Sequence, residues 1–278
     1  MTRTFNHSTE QAEIQRLILE GAIFIINHSG GKDSQATYLR CTREFNIPDS
    51  QILVVHARIP DQDWVGLEQH IHDTVHHDTK VVQAIYKDGS LKDFTSRVEA
   101  KYASKPESPC FPSRNQRWCT SELKTQPISK WIKSLDREHG HKLFVNVLGI
   151  RADESNERGN RCAFSMAQAN YKKADLNANG RTVYEWYPIF DWTYAETMDY
   201  ILECGEEPFW TYGEGVERCS CKFCIYSTTQ DLKIGARLAP EDFDRMNEIE
   251  IRTGYALSFI HKGLKLHEII AKATKKIA

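Results

Sequence analysis

The segment Ala22-Ile23-Phe24-Ile25-Ile26-Asn27-His28-Ser29-Gly30-Gly31-Lys32-Asp33-Ser34 begins as an apolar run, breaks into Ser-Gly-Gly-Lys-Asp-Ser and continues as a helical pattern. It reads as a strand, a phosphate-binding turn and a helix. Two glycines let the backbone approach a phosphate without Cβ interference, and the turn amides and the positive end of the following helix favour an anion. Lys32 and the Ser29 and Ser34 hydroxyls can complete such a cradle. The loop is not the Gly-x-x-x-x-Gly-Lys-Ser/Thr type, because Ile26 stands five residues before Gly31.

Outward from this segment, short β-branched runs alternate with helical periodicity, the pattern of a parallel sheet covered by helices. Strands are expected at Ala22–Asn27, Ile52–His56, Lys80–Tyr86 and Leu143–Leu148, with helices around Ser34–Glu44, Trp64–His77, Leu91–Ala103 and Ser121–His139. The fold class is α/β, a doubly wound, mostly parallel sheet with a small C-terminal helical cap from Gln230 onward. A nucleotide-binding domain is expected over residues 1–210, and a cysteine-bearing helical subdomain over 211–278. Ser104–Arg117 and Asn156–Arg181 read as long loops or lids. In a doubly wound sheet the ligand lies beyond the carboxyl ends of the strands. The loops after Asn27, His56 and Leu148 should therefore converge.

The chain has 278 residues, 40% of them apolar, enough for a full core. Its formal charge of −2 gives no global pull toward nucleic acid or anionic membrane. With no signal-like start and no bilayer-length apolar stretch, a cytoplasmic location is expected. In that compartment eight cysteines are better read as thiols or metal ligands than as disulfides.

Three further segments carry chemistry. Gly149-Ile150-Arg151-Ala152-Asp153-Glu154-Ser155, with Arg158, follows the fourth strand. Its arginines suit phosphate or sulfate oxygens, and Asp153 or Glu154 suits Mg²⁺ or arginine orientation. Arg117-Trp118-Cys119-Thr120-Ser121-Glu122-Leu123-Lys124 leads into a helix with Thr120 or Ser121 as N-cap, which would bias Cys119 toward thiolate. Arg114, Arg117 and Lys124 make the strongest basic cluster. Cys219-Ser220-Cys221-Lys222-Phe223-Cys224 has the spacing of a metal or iron-sulfur site. Cys119, or else Cys110, would be a fourth ligand, and zinc competes with iron. Cys41, Cys162 and Cys204 lack such context, and His70, His72, His76 and His77 read as a solvated helix face.

Taken together, Ser29–Ser34, Arg117–Thr120 with Lys124, Gly149–Ser155 with Arg158, Tyr187-Pro188-Ile189-Phe190-Asp191-Trp192-Thr193 and the cysteine cluster resemble the phosphoadenosine phosphosulfate (PAPS) reductase superfamily of PP-loop proteins. The resemblance implies an adenine nucleotide alpha-hydrolase-like fold and a nucleotide site made by Ser29, Gly30, Gly31, Lys32, Asp33, Ser34, His56, Lys124, Gly149 and Arg151. The Glu-Cys-Gly-x-His segment expected near a reductase C-terminus is absent, for Gly254–Ala278 holds no cysteine and Glu203-Cys204-Gly205 lacks the histidine. The pattern thus looks most like the ATP-using sulfur-transfer branch, such as the Dnd-type DNA phosphorothioation protein. That branch implies ATP, Mg²⁺ and a [4Fe-4S] cluster on Cys119, Cys219, Cys221 and Cys224, with Zn²⁺ as the alternative. It also implies a sulfur donor such as a cysteine desulfurase and an acceptor that is tRNA, DNA or a small molecule. Catalysis would rest on Lys32, Asp33, Arg151, Asp153 and Arg158. Two other expectations are a sulfonucleotide reductase with a relocated thiol, Cys204 or Cys110, and a nucleotide-sensing subunit with structural zinc.

Overall fold

The structure is a computed structural model that describes residues 7–167, 176–219, 221–258, 260, 261 and 263–274. The chain forms two compact units. One comprises Met1–Ala57, Gly66–Val82 and Ile128–Phe209, and the other Arg58–Val65, Gln83–Pro127 and Trp210–Ala278. The last boundary between the units lies between Phe209 and Trp210, and the second unit also takes in two segments from within residues 1–210. Those segments carry apolar side chains whose core partners come from the C-terminal helices.

The first unit holds a six-stranded sheet in the order β3-β2-β1-β4-β6-β5, with β1 Ile23–Asn27, β2 Ile52–Arg58, β3 Thr79–Gln83, β4 Leu143–Val147, β5 Phe164–Met166 and β6 Thr182–Trp186. β1 pairs in parallel with β2 and β4, β4 pairs in parallel with β6, and β5 is antiparallel to β6. The mostly parallel α/β class is as the sequence implied. Alternate β1 residues face opposite sides, as a sheet covered on both faces requires. Ile23 and Ile25 pack with Ile132 and Leu135 of the helix Gln126–His139. On the other side Trp186 meets Phe24 and Phe45 at ring separations of 6.2 and 4.8 Å, and its indole N–H donates to Glu10 of the helix His7–Leu19 (2.8 Å).

Several boundaries differ from expectation. The chain leaves β3 at Gln83 and bends back, with Tyr86 N–H donating to Ser90 C=O and Ile85 bridging Leu91. The stretch Asn156–Arg181 is not one loop: it contains a helical turn, Asn156–Gly159, and β5. β6, which follows it, went unread because Thr182-Val-Tyr-Glu-Trp186 has polar members. Lys172 and Lys173, a further basic patch in the sequence that would suit a nucleic-acid acceptor, lie outside the described residues. Among the described residues no helix is long and apolar enough to cross a membrane.

The second unit has its own core of Phe94, Val98, Phe111, Trp118, Leu123, Phe223, Leu232, Met246, Ile249 and Leu266. Phe94 stacks on Trp118 at 5.2 Å. The expected C-terminal helices are present as Thr229–Leu238, Pro240–Thr253 and Leu266–Thr274. Glu250, fully buried, accepts the backbone N–H of Leu257 and Leu266, so it ties the last two helices together.

Candidate functional site

Strand order reverses on the two sides of β1, so β2 lies on one side and β4 on the other. The carboxyl ends of β1 and β4 flank a crevice, the usual ligand position of such sheets. Two loops meet there. A Cβ added to Gly149, after β4, would lie 2.7 Å from the backbone carbon and oxygen of Asp33 and 3.0 Å from Ser34 N. The loops are therefore in backbone contact, which only glycine permits.

In the first loop Gly30 has φ +78°, and a Cβ there would fall 2.2 Å from Leu67 Cδ1. Both the conformation and the space demand glycine. Ser34 Oγ donates to Gly31 C=O (2.8 Å) and accepts Ser29 N–H (3.1 Å), so these hydroxyls shape the loop from within. The helix Lys32–Leu39 starts at Gly31 with no side-chain cap. Its first amides can then meet an anion.

His28 precedes the loop and accepts Gly30 N–H on Nδ1 (3.2 Å), which puts its own proton on Nε2. Nε2 is buried without a partner. Burial, with His56 and His70 nearby, pushes the His28 imidazole down to about 3. His56 Nδ1 donates to His28 C=O (2.9 Å), so the end of β2 braces the end of β1.

The charges gather on Asp33. Lys32 Nζ donates to both its oxygens (3.0 and 2.9 Å), and Arg151 Nε donates to Oδ1 (2.7 Å). Lys32 is 1% exposed and Arg151 5%. Buried cations persist only when paired. Arg151 Nη1 also holds Asp153 (2.7 Å) and Trp192 C=O (3.3 Å), while Arg158 pairs with Glu154. Arg151 itself is thus a buried link to the first loop, while Asp153 and Ser155 beside it are exposed. Lys32, Asp33, Arg151 and Asp153 form one connected set, with Arg158 beside it through Glu154, whose carboxylate accepts Arg151 N–H (3.2 Å).

A further side chain belongs to this set and was not anticipated. The Lys32 ammonium lies 4.7 Å from the ring centroid of Tyr194, the first residue of the helix Tyr194–Glu203. No spacing rule relates positions 32 and 194.

The histidines do not form a plain solvated face. His72 and His76 are exposed, but His70 packs on Phe209 (5.1 Å) and is pushed down by burial. The helix ends at Thr74, and beyond it His77 Nδ1 bonds the Tyr38 hydroxyl (2.9 Å). With His56, Glu68, Val75 and Asp78, three of these histidines, His72, His76 and His77, line a cavity of about 610 Å³.

In the second unit, Cys119, Cys221 and Cys224 lie within one another's electrostatic reach, together with Lys124 and Asp63. Burial pushes the Cys221 thiol up to about 12 against the pull of Lys124. The Cys221 thiolate in turn raises the half-buried Lys124 ammonium above its usual range. Cys119 is also raised, by burial and then by Cys224, so the expected thiolate bias does not hold. Its helix starts earlier than expected: Arg117 is the N-cap, and Thr120 and Ser121 have helical dihedrals that exclude them as caps. Cys219 N–H donates to the Tyr212 hydroxyl (3.4 Å). None of the eight cysteines is in a disulfide. Cys110 is fully buried and raised by burial, an unfavourable setting for a nucleophile. Among the described residues no three His, Cys, Asp or Glu side chains are grouped so as to hold a metal ion.

The sequence profile of the phosphoadenosine phosphosulfate reductase domain matches residues 24–226. The chain is 22% identical over 236 residues to uncharacterized protein MJ0973 of Methanocaldococcus jannaschii, covering 84% of this chain and 49% of that protein. To MJ0066 of the same organism it is 25% identical over 200 residues, 72% of this chain and 35% of that protein. To an uncharacterized 37.8 kDa protein of Escherichia phage 186 it is 32% identical over 141 residues, 50% of this chain and 39% of that one. The chain spans half the length, or less, of these curated relatives. Among solved structures, the PAPS reductase of Candida auris in a phosphate complex aligns with a TM-score of 0.44 at 11% identity, over 78% of this chain and 95% of that one. Candida glabrata FMN adenylyltransferase, with FAD and pyrophosphate, aligns at 0.41 and 13% identity, over 80% and 62%.

Proposed function

We infer the function from one premise: the chain belongs to the phosphoadenosine phosphosulfate reductase domain family. Within that family we propose an ATP pyrophosphatase-type enzyme that adenylylates an acceptor oxygen and supports its replacement by sulfur. The observation that carries this reading is Asp33 held between Lys32 and Arg151, where the loops after β1 and β4 touch. Two buried cations, a helix start with no side-chain cap and a glycine contact at one sheet edge suit a chain of phosphates.

In the proposed reaction the acceptor oxygen attacks the α-phosphorus, and the bond from that phosphorus to the bridging oxygen breaks. Pyrophosphate leaves, stabilised by the loop amides and Lys32. Arg151 turns from Asp33 toward the α-phosphate, and Arg158 steadies it through Glu154. A sulfur nucleophile, from a donor such as a cysteine desulfurase, then displaces AMP from the acceptor. The acceleration comes from positioning and charge neutralisation. Asp33 and Asp153 offer the hard oxygens that suit Mg²⁺, which would screen the departing charge. Cys119, Cys221 and Cys224, within one another's electrostatic reach, suit a thiophilic group by donor chemistry, and Cys219 is the fourth thiol of the expected set. A [4Fe-4S] cluster there would supply sulfide handling, and Zn²⁺ would supply structure alone. The exposed Arg114 and Arg117 suit a nucleic-acid acceptor.

The test is anaerobic calorimetry of Mg-ATP, PAPS and adenylylsulfate on metal-quantified protein, followed by pyrophosphate release with tRNA or DNA added. Preference for Mg-ATP and acceptor-dependent pyrophosphate are expected. Sulfite release from a sulfonucleotide, with ATP ignored, would overturn the reading in favour of a reductase. ATP bound but never consumed, on zinc-loaded protein, would point to a nucleotide sensor.

A further inference from the structure

The segment after β6 touches both buried cations. Trp192 C=O accepts from Arg151 (3.3 Å), and two residues on the Tyr194 ring lies 4.7 Å from the Lys32 ammonium. The segment is itself firmly held. Phe190 C=O accepts Ala152 N–H (2.7 Å), and the Arg40 guanidinium stacks 5.3 Å from the Trp192 ring. Thr193 caps the next helix in a reciprocal box with Glu196, its N–H donating to the carboxylate at 2.7 Å. Tyr194 follows directly as the first helical residue, so the cap fixes the backbone from which its ring reaches Lys32. An ammonium with an aromatic face on one side and a carboxylate on the other has few remaining directions in which to donate.

We propose that Tyr194 is a positioning residue of the phosphate site: its ring holds the Lys32 ammonium toward the first loop, so that phosphate oxygens replace Asp33 as its partner without the ammonium swinging away. The segment Trp192–Tyr194 sets both cations from one rigid piece of backbone, and they meet a phosphate chain as a pair. This rests on the nucleotide reading above for its ligand, but not for the contact itself.

The test uses the full chain with magnesium pyrophosphate as probe, in calorimetry of wild type, Tyr194→Phe, Tyr194→Leu, Lys32→Met and the Lys32→Met/Tyr194→Leu double variant. Removing the ring should weaken pyrophosphate about 3- to 10-fold. Phenylalanine, which keeps the face, should restore binding to within about twofold. The double variant should bind no worse than Lys32→Met alone, because Tyr194 acts through Lys32. A purely structural tyrosine would add its own loss. Independently of any ligand, the Lys32 ε-methylene protons should carry an upfield ring-current shift that Tyr194→Leu abolishes. Equal binding by wild type and Tyr194→Leu, or additive losses in the double variant, overturns the proposal while the nucleotide reading stands. If wild type binds neither pyrophosphate nor ATP, the nucleotide reading falls and this proposal with it.

Discussion

Gly149→Ala is the sharpest perturbation of the site. Gly149 is not in the left-handed region, so alanine brings no backbone strain, only a methyl group. That methyl would sit 2.7 Å from Asp33 C and O, where ordinary contact starts at 3.4 Å, a shortfall of about 0.7 Å. The atoms it meets are backbone, with no side-chain end to swing aside. If the loops part by that distance, the 2.7 Å bond from Arg151 to Asp33 stretches to about 3.4 Å, near the limit of a hydrogen bond. In the complex, where Arg151 has turned to the α-phosphate, the same parting of about 0.7 Å withdraws its guanidinium and loses that charge-assisted bond, about 1.5–3 kcal/mol, so Mg-ATP should bind about 10- to 150-fold more weakly. Urea unfolding should show a loss of about 1–3 kcal/mol from overpacking. Gly140→Ala is the control, since φ there is +71° with nothing within 4 Å of the added carbon. It should cost about 1 kcal/mol of stability and leave binding intact. Calorimetry of both variants decides the matter: Gly149→Ala binding Mg-ATP within twofold of wild type would refute the idea that this contact builds the site.

Gly30→Ala should lower the urea midpoint further than Gly149→Ala, because it combines φ +78° with the Leu67 clash; adding Leu67→Ala should relieve only the clash. His28 is pushed down to about 3, while in the unfolded chain it titrates near 6.5. Its contribution to stability is therefore complete above about pH 6.5 and is lost as the pH falls toward 3. Between pH 6.5 and 5 wild type should lose up to about 2 kcal/mol more than His28→Asn in parallel urea melts, from 1.5 units at about 1.36 kcal/mol each; equal losses would contradict the buried neutral imidazole. Cys224→Ser should strip iron or zinc from anaerobically purified protein while Cys162→Ser, at an exposed thiol, retains it; metal analysis showing the reverse would remove the cysteine-site reading.

What the sequence disclosed was local. The run Ile23–Asn27 and its Gly-Gly turn could be read because one strand, one turn and one helix start are contiguous. The meeting of the loops after Asn27 and Leu148 then followed from the doubly wound pattern. Tyr194 could not be read, because its tie to Lys32 comes from the capped helix that presents it. The same holds for Glu10, whose carboxylate receives Trp186 and Arg40 from distant parts of the chain. β5 and β6 escaped because their short, partly polar stretches lack the β-branched density of β1 or β2. The spacing of Cys221 and Cys224 singled out those two thiols, while Lys124 and Asp63 beside them depend on tertiary packing.

The second unit is sewn from three separated stretches of chain, and its core joins Phe94, Phe111 and Trp118 to Phe223, Met246 and Ile269. On the ribosome those early aromatics emerge more than a hundred residues ahead of their partners. At about 5–20 residues per second they wait roughly 5 to 20 s with their apolar faces uncovered. Synthesis that stalls near residue 210 would leave an intact sheet trailing sticky, unfinished loops. Slow codons placed after the sheet would thus harm the yield of this protein, whereas in a chain of two sequential domains they would help.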